Sequence, residues 1–164
     1  MVDEFISLLK ENEIKLLVDV RAWPGSKRYP HFNKDTLAES LSAHGISYEH
    51  FPELGGKRKS NPDSRNTVWR NASFRGYADY METEQFQKGI ARLLDVAEKE
   101  GPTAIMCAEA VWWRCHRSLI ADDLKVRGVE VLHILGANKI EPHPYTPAAR
   151  IVDGELSYSP ESLL

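Results

Sequence analysis

Long apolar runs are missing from this sequence. Its longest, residues 14–18 (interrupted by Lys15) and residues 129–135, fall far short of the roughly 18 residues that a transmembrane helix needs. No membrane span is expected, and no membrane partner. The opening Val2-Asp3-Glu4-Phe5 lacks the basic region and small-residue cleavage site of a secretory signal, which points to a cytoplasmic protein. Cysteine is scarce as well. Cys107 and Cys115 are too few for a disulfide framework, and in a reducing compartment thiols serve catalysis, metal binding or the core. A structural zinc site is disfavoured by spacing: Cys115 and His116 are adjacent, and no C-x-x-C or H-x-x-x-H pair is present. Cys107, Cys115, His116, His133 and His143 are nonetheless acceptable ligand types. Leu54-Gly55-Gly56-Lys57-Arg58 places basic residues after a glycine turn but lacks P-loop spacing, so classical nucleotide hydrolysis finds no support. No metal is assigned, and the sequence names no cofactor and no oligomeric state.

What is present is an ordinary globular balance, 42% apolar and 27% charged over 164 residues, enough for a single domain. The net charge of -3 hides an uneven distribution. Residues 21–34 and 52–76 hold ten basic side chains against two acidic ones, leaving eleven basic and twenty-two acidic elsewhere. A basic surface therefore sits on an acidic body, and such a surface attracts small anions or nucleic acid.

Periodicity predicts alternating helices and strands. Asp3 caps a helix with Phe5, Ile6, Leu8 and Leu9 inward, ending near Asn12; residues 15–20 follow as a buried strand. Asn33 caps a second helix bearing Leu37, Ala38 and Leu41, with His44-Gly45 as its stop, and residues 46–51 alternate as a strand. Beyond a long polar loop come a short helix at residues 77–81 and a longer one carrying Phe86, Ile90, Leu93, Leu94 and Ala97 to Gly101-Pro102. Residues 103–107, 115–126 and 129–135 complete the series as strand, helix and strand. The expected fold is α/β, a Rossmann-like parallel sheet flanked by helices, with long basic loops and a C-terminal hairpin over residues 151–158 signalled by Asp153-Gly154. In such a sheet the loops after Val20, Phe51, Cys107 and Leu135 meet at the carboxyl edge.

The richest chemistry lies between Cys107 and Ser118. Cys107 ends an apolar strand, and Cys115-His116-Arg117-Ser118 open a helix whose unpaired N–H groups and dipole favour an anion and can activate a thiol. Either cysteine is a candidate nucleophile, Glu109 and His116 are candidate proton carriers, and Arg117 with Ser118 can grip a phosphate or carboxylate. Asp19 and Arg21 at the end of the first strand form a structural pair or orient substrate. Ser26 and Arg28, beyond the Pro24-Gly25 turn, offer further anion-binding donors. Two readings follow. One is an enzyme acting on a phosphorylated or nucleotide-like anion; the other is a nucleic-acid-binding or redox-sensing regulatory module without catalysis.

Several strings together resemble the family catalogued as domain of unknown function 488. They are Val18-Asp19-Val20-Arg21 with Pro24 and Ser26, Phe32, Gly45-Ile46 with Tyr48, Leu54-Gly55-Gly56, Phe74-Arg75-Gly76-Tyr77 to Met81, Cys107-Ala108-Glu109, Cys115-His116-Arg117, and His133. The resemblance implies one domain over residues 1–164 without the Ile-Gly-His-Ser-like strand that usually precedes the first helix. It implies a fold and a site, and no reaction.

Overall fold

The computed structural model describes residues 2–25, 27–109 and 111–160. Its helices and strands run α1 (Val2–Glu11), β1 (Leu16–Asp19), α2 (Lys34–Ser42), β2 (Ser47–His50), α3 (Ala72–Met81), α4 (Glu84–Glu100), β3 (Thr103–Met106), α5 (Arg117–Val126), β4 (Leu132–Gly136), β5 (Lys139–Pro142), β6 (Arg150–Val152) and β7 (Glu155–Ser157). Two compact units share these elements. The first comprises Met1–Gly55, Lys88–Ala108 and Gly136–Lys139; the second comprises Gly56–Gln87, Glu109–Leu135 and Ile140–Leu164.

In the first unit, three parallel strands lie in the order β2, β1, β3. Leu16 pairs with Ser47 on one side and Thr103 on the other, and Asp19 pairs with His50 and Met106. Two bonds carry the ladder past the strand ends: Val20 N–H donates to the Met106 carbonyl and Phe51 N–H to that of Asp19, both at 2.9 Å. Central β1 is buried throughout, which explains its unbroken Leu-Leu-Val run. Ile6 and Leu9 of α1 and Leu37 and Leu41 of α2 close a core with Leu17, Ile46 and Met106. The i, i+3 and i, i+4 spacings of those helix pairs put each pair on one face. Asn33 takes the N-cap position of α2 without a side-chain capping bond, and Gly45 supplies the left-handed conformation (φ 73°) just past the helix end. Helix α4 packs on the chain that leaves β2. A Cβ at Gly89 would lie 2.7 Å from Glu53 Cγ, and the Arg92 guanidinium stands 3.9 Å above the Phe51 ring.

The last expected parallel strand is not one. Residues 129–135 do not join the sheet; β4 pairs with β5 in a separate two-stranded hairpin. Leu132 and Leu135 are 43% and 38% exposed, whereas a central parallel strand is covered on both faces. Asn138, at φ 57°, turns the chain straight back into β5 and leaves no room for a crossover.

In the second unit, α3 starts five residues earlier than the periodicity suggests. Asn71 caps it, its Oδ1 accepting from Ser73 N–H at 2.8 Å and Phe74 N–H at 3.2 Å. The polar loop before it is pinned to this helix. Asp79 accepts from Ser64 Oγ at 2.5 Å, Asn66 Nδ2 at 2.7 Å, Asn61 N–H at 2.8 Å and Ser60 Oγ at 3.3 Å. Burial works to raise the Asp79 carboxyl, but these donors outweigh it and hold the group below its ordinary range. Gly76 makes the close crossing possible, since a Cβ there would sit 2.0 Å from the Arg58 carbonyl oxygen. The C-terminal hairpin forms as expected, β6 against β7 antiparallel, with Asp153 (φ 51°) and Gly154 (φ 80°) at the turn.

Candidate functional site

At the carboxyl end of β1, Asp19 and Arg21 pair with each other. The wholly buried Asp19 carboxylate accepts from Arg21 N–H at 3.0 Å, Nε at 2.9 Å and Nη2 at 2.7 Å, and from the Tyr48 hydroxyl on β2. Burial, then the Asp19 carboxylate, pushes the Tyr48 phenol well above its usual value, so it stays a donor. His50 Nε2 lies 2.8 Å from the Arg21 carbonyl. A fork spent this way braces the strand end; only Nη1 of Arg21 remains outside the pair with Asp19. Cys107, half-buried, leaves the same edge one residue after Met106, the β3 partner of Asp19. Arg28 is exposed, its guanidinium 5.4 Å from the Tyr29 ring centre, and Ser26 lies outside the described residues.

The segment before α5 is more irregular than its composition suggests. Trp112–Arg114 form a 3₁₀ turn, Cys115 is extended (φ -131°, ψ 151°), and the helix begins at Arg117 with His116 at its N-cap position. Cys115 therefore precedes the helix. Its sulfur faces the helix start: Arg117 N–H donates to Sγ at 3.5 Å, and His116 Nδ1 lies 3.6 Å from Sγ. Ser118 is buried and donates its hydroxyl to the Cys115 carbonyl at 2.8 Å, so it shapes the corner rather than facing solvent. The Arg117 Nη2 donates to the Glu109 carbonyl at 2.6 Å, which ties the preceding loop to the helix, while the Glu109 side chain is exposed. Arg117 Nε is buried and has no acceptor among the described residues. His116 packs against Tyr77, ring centres 4.9 Å apart, and its position depends on Gly56, where a Cβ would come within 3.0 Å of Nδ1.

A second polar group lies further along the same unit, and most of it is invisible to motif reading. Asp122, fully buried on α5, accepts from Thr146 N–H (3.0 Å), Thr146 Oγ1 (2.6 Å), Tyr158 OH (2.8 Å) and His143 Nε2 (2.8 Å). The other ring nitrogen of His143 lies 2.7 Å from His133 Nε2. Trp112 stacks flat on His133, centres 4.2 Å apart and planes 3° from parallel. Burial first, then His143 and the Arg117 charge, pushes the His133 imidazole down to about 4. His133 and His143 are noticeable in the sequence as ligand types. Asp122 carries one signal in the sequence: it interrupts the buried face formed by Leu119, Ile120 and Leu124, where an acid needs dedicated partners.

Among the described residues, no helix is long and apolar enough to cross a membrane. No curated protein and no solved structure matches the chain significantly. The strings from Val18-Asp19-Val20-Arg21 to Cys115-His116-Arg117 lie within the matched residues 1–124, and the chain belongs to the family described as domain of unknown function DUF488.

Proposed function

We propose that the protein is an enzyme acting on a phosphorylated or nucleotide-like anionic substrate, bound at the Cys115–Arg117 corner. The observation that carries this reading is Arg117 Nε, a buried guanidinium donor without an acceptor among the described residues. Burying such a donor unpaired is costly, and an anion oxygen satisfies it. The positive dipole end of a ten-residue helix reinforces the same preference. Cys115 is the nucleophile in this reading, His116 takes its proton, and Glu109 is a further proton carrier from the adjoining loop. Arg21 and Cys107 belong to the carboxyl edge of the parallel sheet, the usual ligand side of a Rossmann-like arrangement.

A nucleic-acid module draws on the basic loops, yet several of their arginines are engaged within the protein. Arg58 lies 3.6 Å above the Tyr80 ring, Arg65 pairs with Glu82 at 2.8 Å, and Arg75 bonds Ser60 at 3.1 Å. Fewer charges are left to neutralise phosphates than the sequence suggests, which favours the small-anion reading. The test is a titration of phosphate and a nucleotide set against wild type, Arg117→Lys and Lys59→Ala, each checked for folding. Arg117→Lys is expected to weaken binding tenfold or more, the equivalent of about 1.4 kcal/mol, because an ammonium cannot replace the planar fork. Exposed Lys59 changes it little. Equal affinities in all three proteins count against this site.

A further inference from the structure

We infer that His133 is a second proton-accepting group of this enzyme, one that takes a proton from the substrate through Nδ1 while His116 serves Cys115, with His143 and Asp122 behind it as positioning residues. The inference rests on the anion reading for its substrate class, an anion that carries an ionisable O–H or N–H beside the group held by Arg117. The assignment of the nitrogen follows from donor counting. A carboxylate only accepts, so His143 Nε2, 2.8 Å from Asp122, must carry a hydrogen. Neutral His143 then presents a bare Nδ1, which obliges His133 Nε2, 2.7 Å away, to be the donor there. Neutral His133 is left with a bare Nδ1. That atom makes no hydrogen bond among the described residues.

The surroundings fix this order. Asp122 is held by three further donors from Thr146 and Tyr158, and Lys125 Nζ caps the His143 carbonyl at 2.7 Å. The parallel stack on Trp112 holds the plane of the His133 ring. The charged and titratable groups bearing on His133 are His143, with Asp122 behind it, and Arg117. Burial, then His143 and the Arg117 charge, oppose protonation of His133 at rest, so the lone pair is present at neutral pH. When substrate gives up its proton, the X–H bond breaks toward X, which keeps the electron pair, and Nδ1 gains the proton. The Nε2 proton of His133 can then pass to His143 Nδ1, leaving the positive charge against the Asp122 carboxylate. Two proton transfers leave the histidine pair with one extra proton, and reversing both restores the starting state without any oxidant or reductant.

The first measurement is nitrogen NMR of the imidazoles in the whole protein at pH 7, where both histidines are expected in the Nε2–H form; an Nδ1–H form of His133 overturns the assignment. The second is carbethoxylation by diethyl pyrocarbonate, read by peptide mass spectrometry at pH 7 and pH 5 against N-acetylhistidine. An ordinary imidazole, with a pKa near 6.5, loses about 25-fold in its neutral fraction over that interval. His133 is expected to lose less than about twofold, and a full loss, or no modification at either pH, overturns the proposal. Asp122→Leu removes the acceptor of the His143 Nε2–H and is expected to release the tautomer order, so that an Nδ1–H form of His133 appears; the wild-type spectra decide should this variant fail to fold. Inorganic phosphate separates the two proposals. Arg117-dependent binding that leaves the His133 Nδ1 resonance unmoved sinks the base and spares the anion site. The predicted tautomers and reactivity with no phosphate binding spare the base and sink the anion site.

Discussion

Replacing Asp19 by Asn tests whether the end of β1 is a brace or a ligand site. Asp19 is fully buried and Arg21 is 8% exposed, so the exchange leaves a guanidinium that cannot deprotonate inside the protein without its counter-charge. It also turns an amide N–H₂ toward donors, because Arg21 N–H, Nε, Nη2 and the Tyr48 hydroxyl all point at the carboxylate. Breaking one partner of a buried pair costs about 3–5 kcal/mol. For a chain of 164 residues, each kcal/mol lowers Tm by about 2–4 °C, so a drop of about 6–20 °C is expected. Urea unfolding followed by fluorescence gives the free energy, and calorimetry gives Tm. The double variant Asp19→Leu/Arg21→Met should recover part of the loss, since apolar replacement of a whole buried pair is often neutral. A single variant within about 1 kcal/mol of wild type would refute the brace. So would normal stability combined with lost phosphate affinity, which would make Arg21 a substrate ligand.

Two further expectations concern stability alone. Gly76→Ala is expected to cost about 1–3 kcal/mol or more by urea unfolding, because its Cβ would overlap the Arg58 carbonyl; a gain, as helix propensity alone predicts, would mean that the loop crossing is misplaced. Acid should act in two steps: the unfolded chain protonates His133 first, so that contribution is complete above about pH 6.5 and is lost as pH falls toward about 4, and the Asp79 contribution is lost below its ordinary 3.8. Unfolding midpoints measured from pH 7 to pH 3 should show both steps, and His133→Gln should abolish only the first.

Local rules recover the parts of the fold that local physics determines. Ile6 and Leu9 mark the inner face of α1, the uniformly apolar β1 marks a central strand, and Asp153-Gly154 marks a turn in which both residues have positive φ. They fail where a partner distant in sequence decides. Residues 129–135 look like a core strand, but β5 and the Asn138 turn claim them, and an apolar run does not encode its neighbour. The start of α5 moves from Cys115 to Arg117 because the tryptophan-rich turn before it is held by aromatic packing, Trp112 on His133, rather than by helix propensity. Ser64 and Asn66 read as loop residues, and only the fold reveals that Asp79, fifteen and thirteen positions away, gathers them.

The buried acids show where chemistry can reside. Asp19 is neutralised by Arg21 and Asp123 is paired with Arg127 at 2.7 Å, so both face cations that hold their protons at any working pH. Asp79 is surrounded by amide and hydroxyl donors, which fix a loop and do not titrate in that range. Asp122 differs from the other three. Among the described residues it is the one buried carboxylate hydrogen-bonded to an imidazole, and that imidazole meets a second ring with an unbonded nitrogen. This line of hydrogen bonds is the one we infer to carry a proton. Three of the acids therefore stabilise strand, helix and loop, and the fourth is the one our inference assigns to orienting a base, so mutations at the first three should act on folding. The fourth alone should change the pH dependence of a reaction in a protein that still folds.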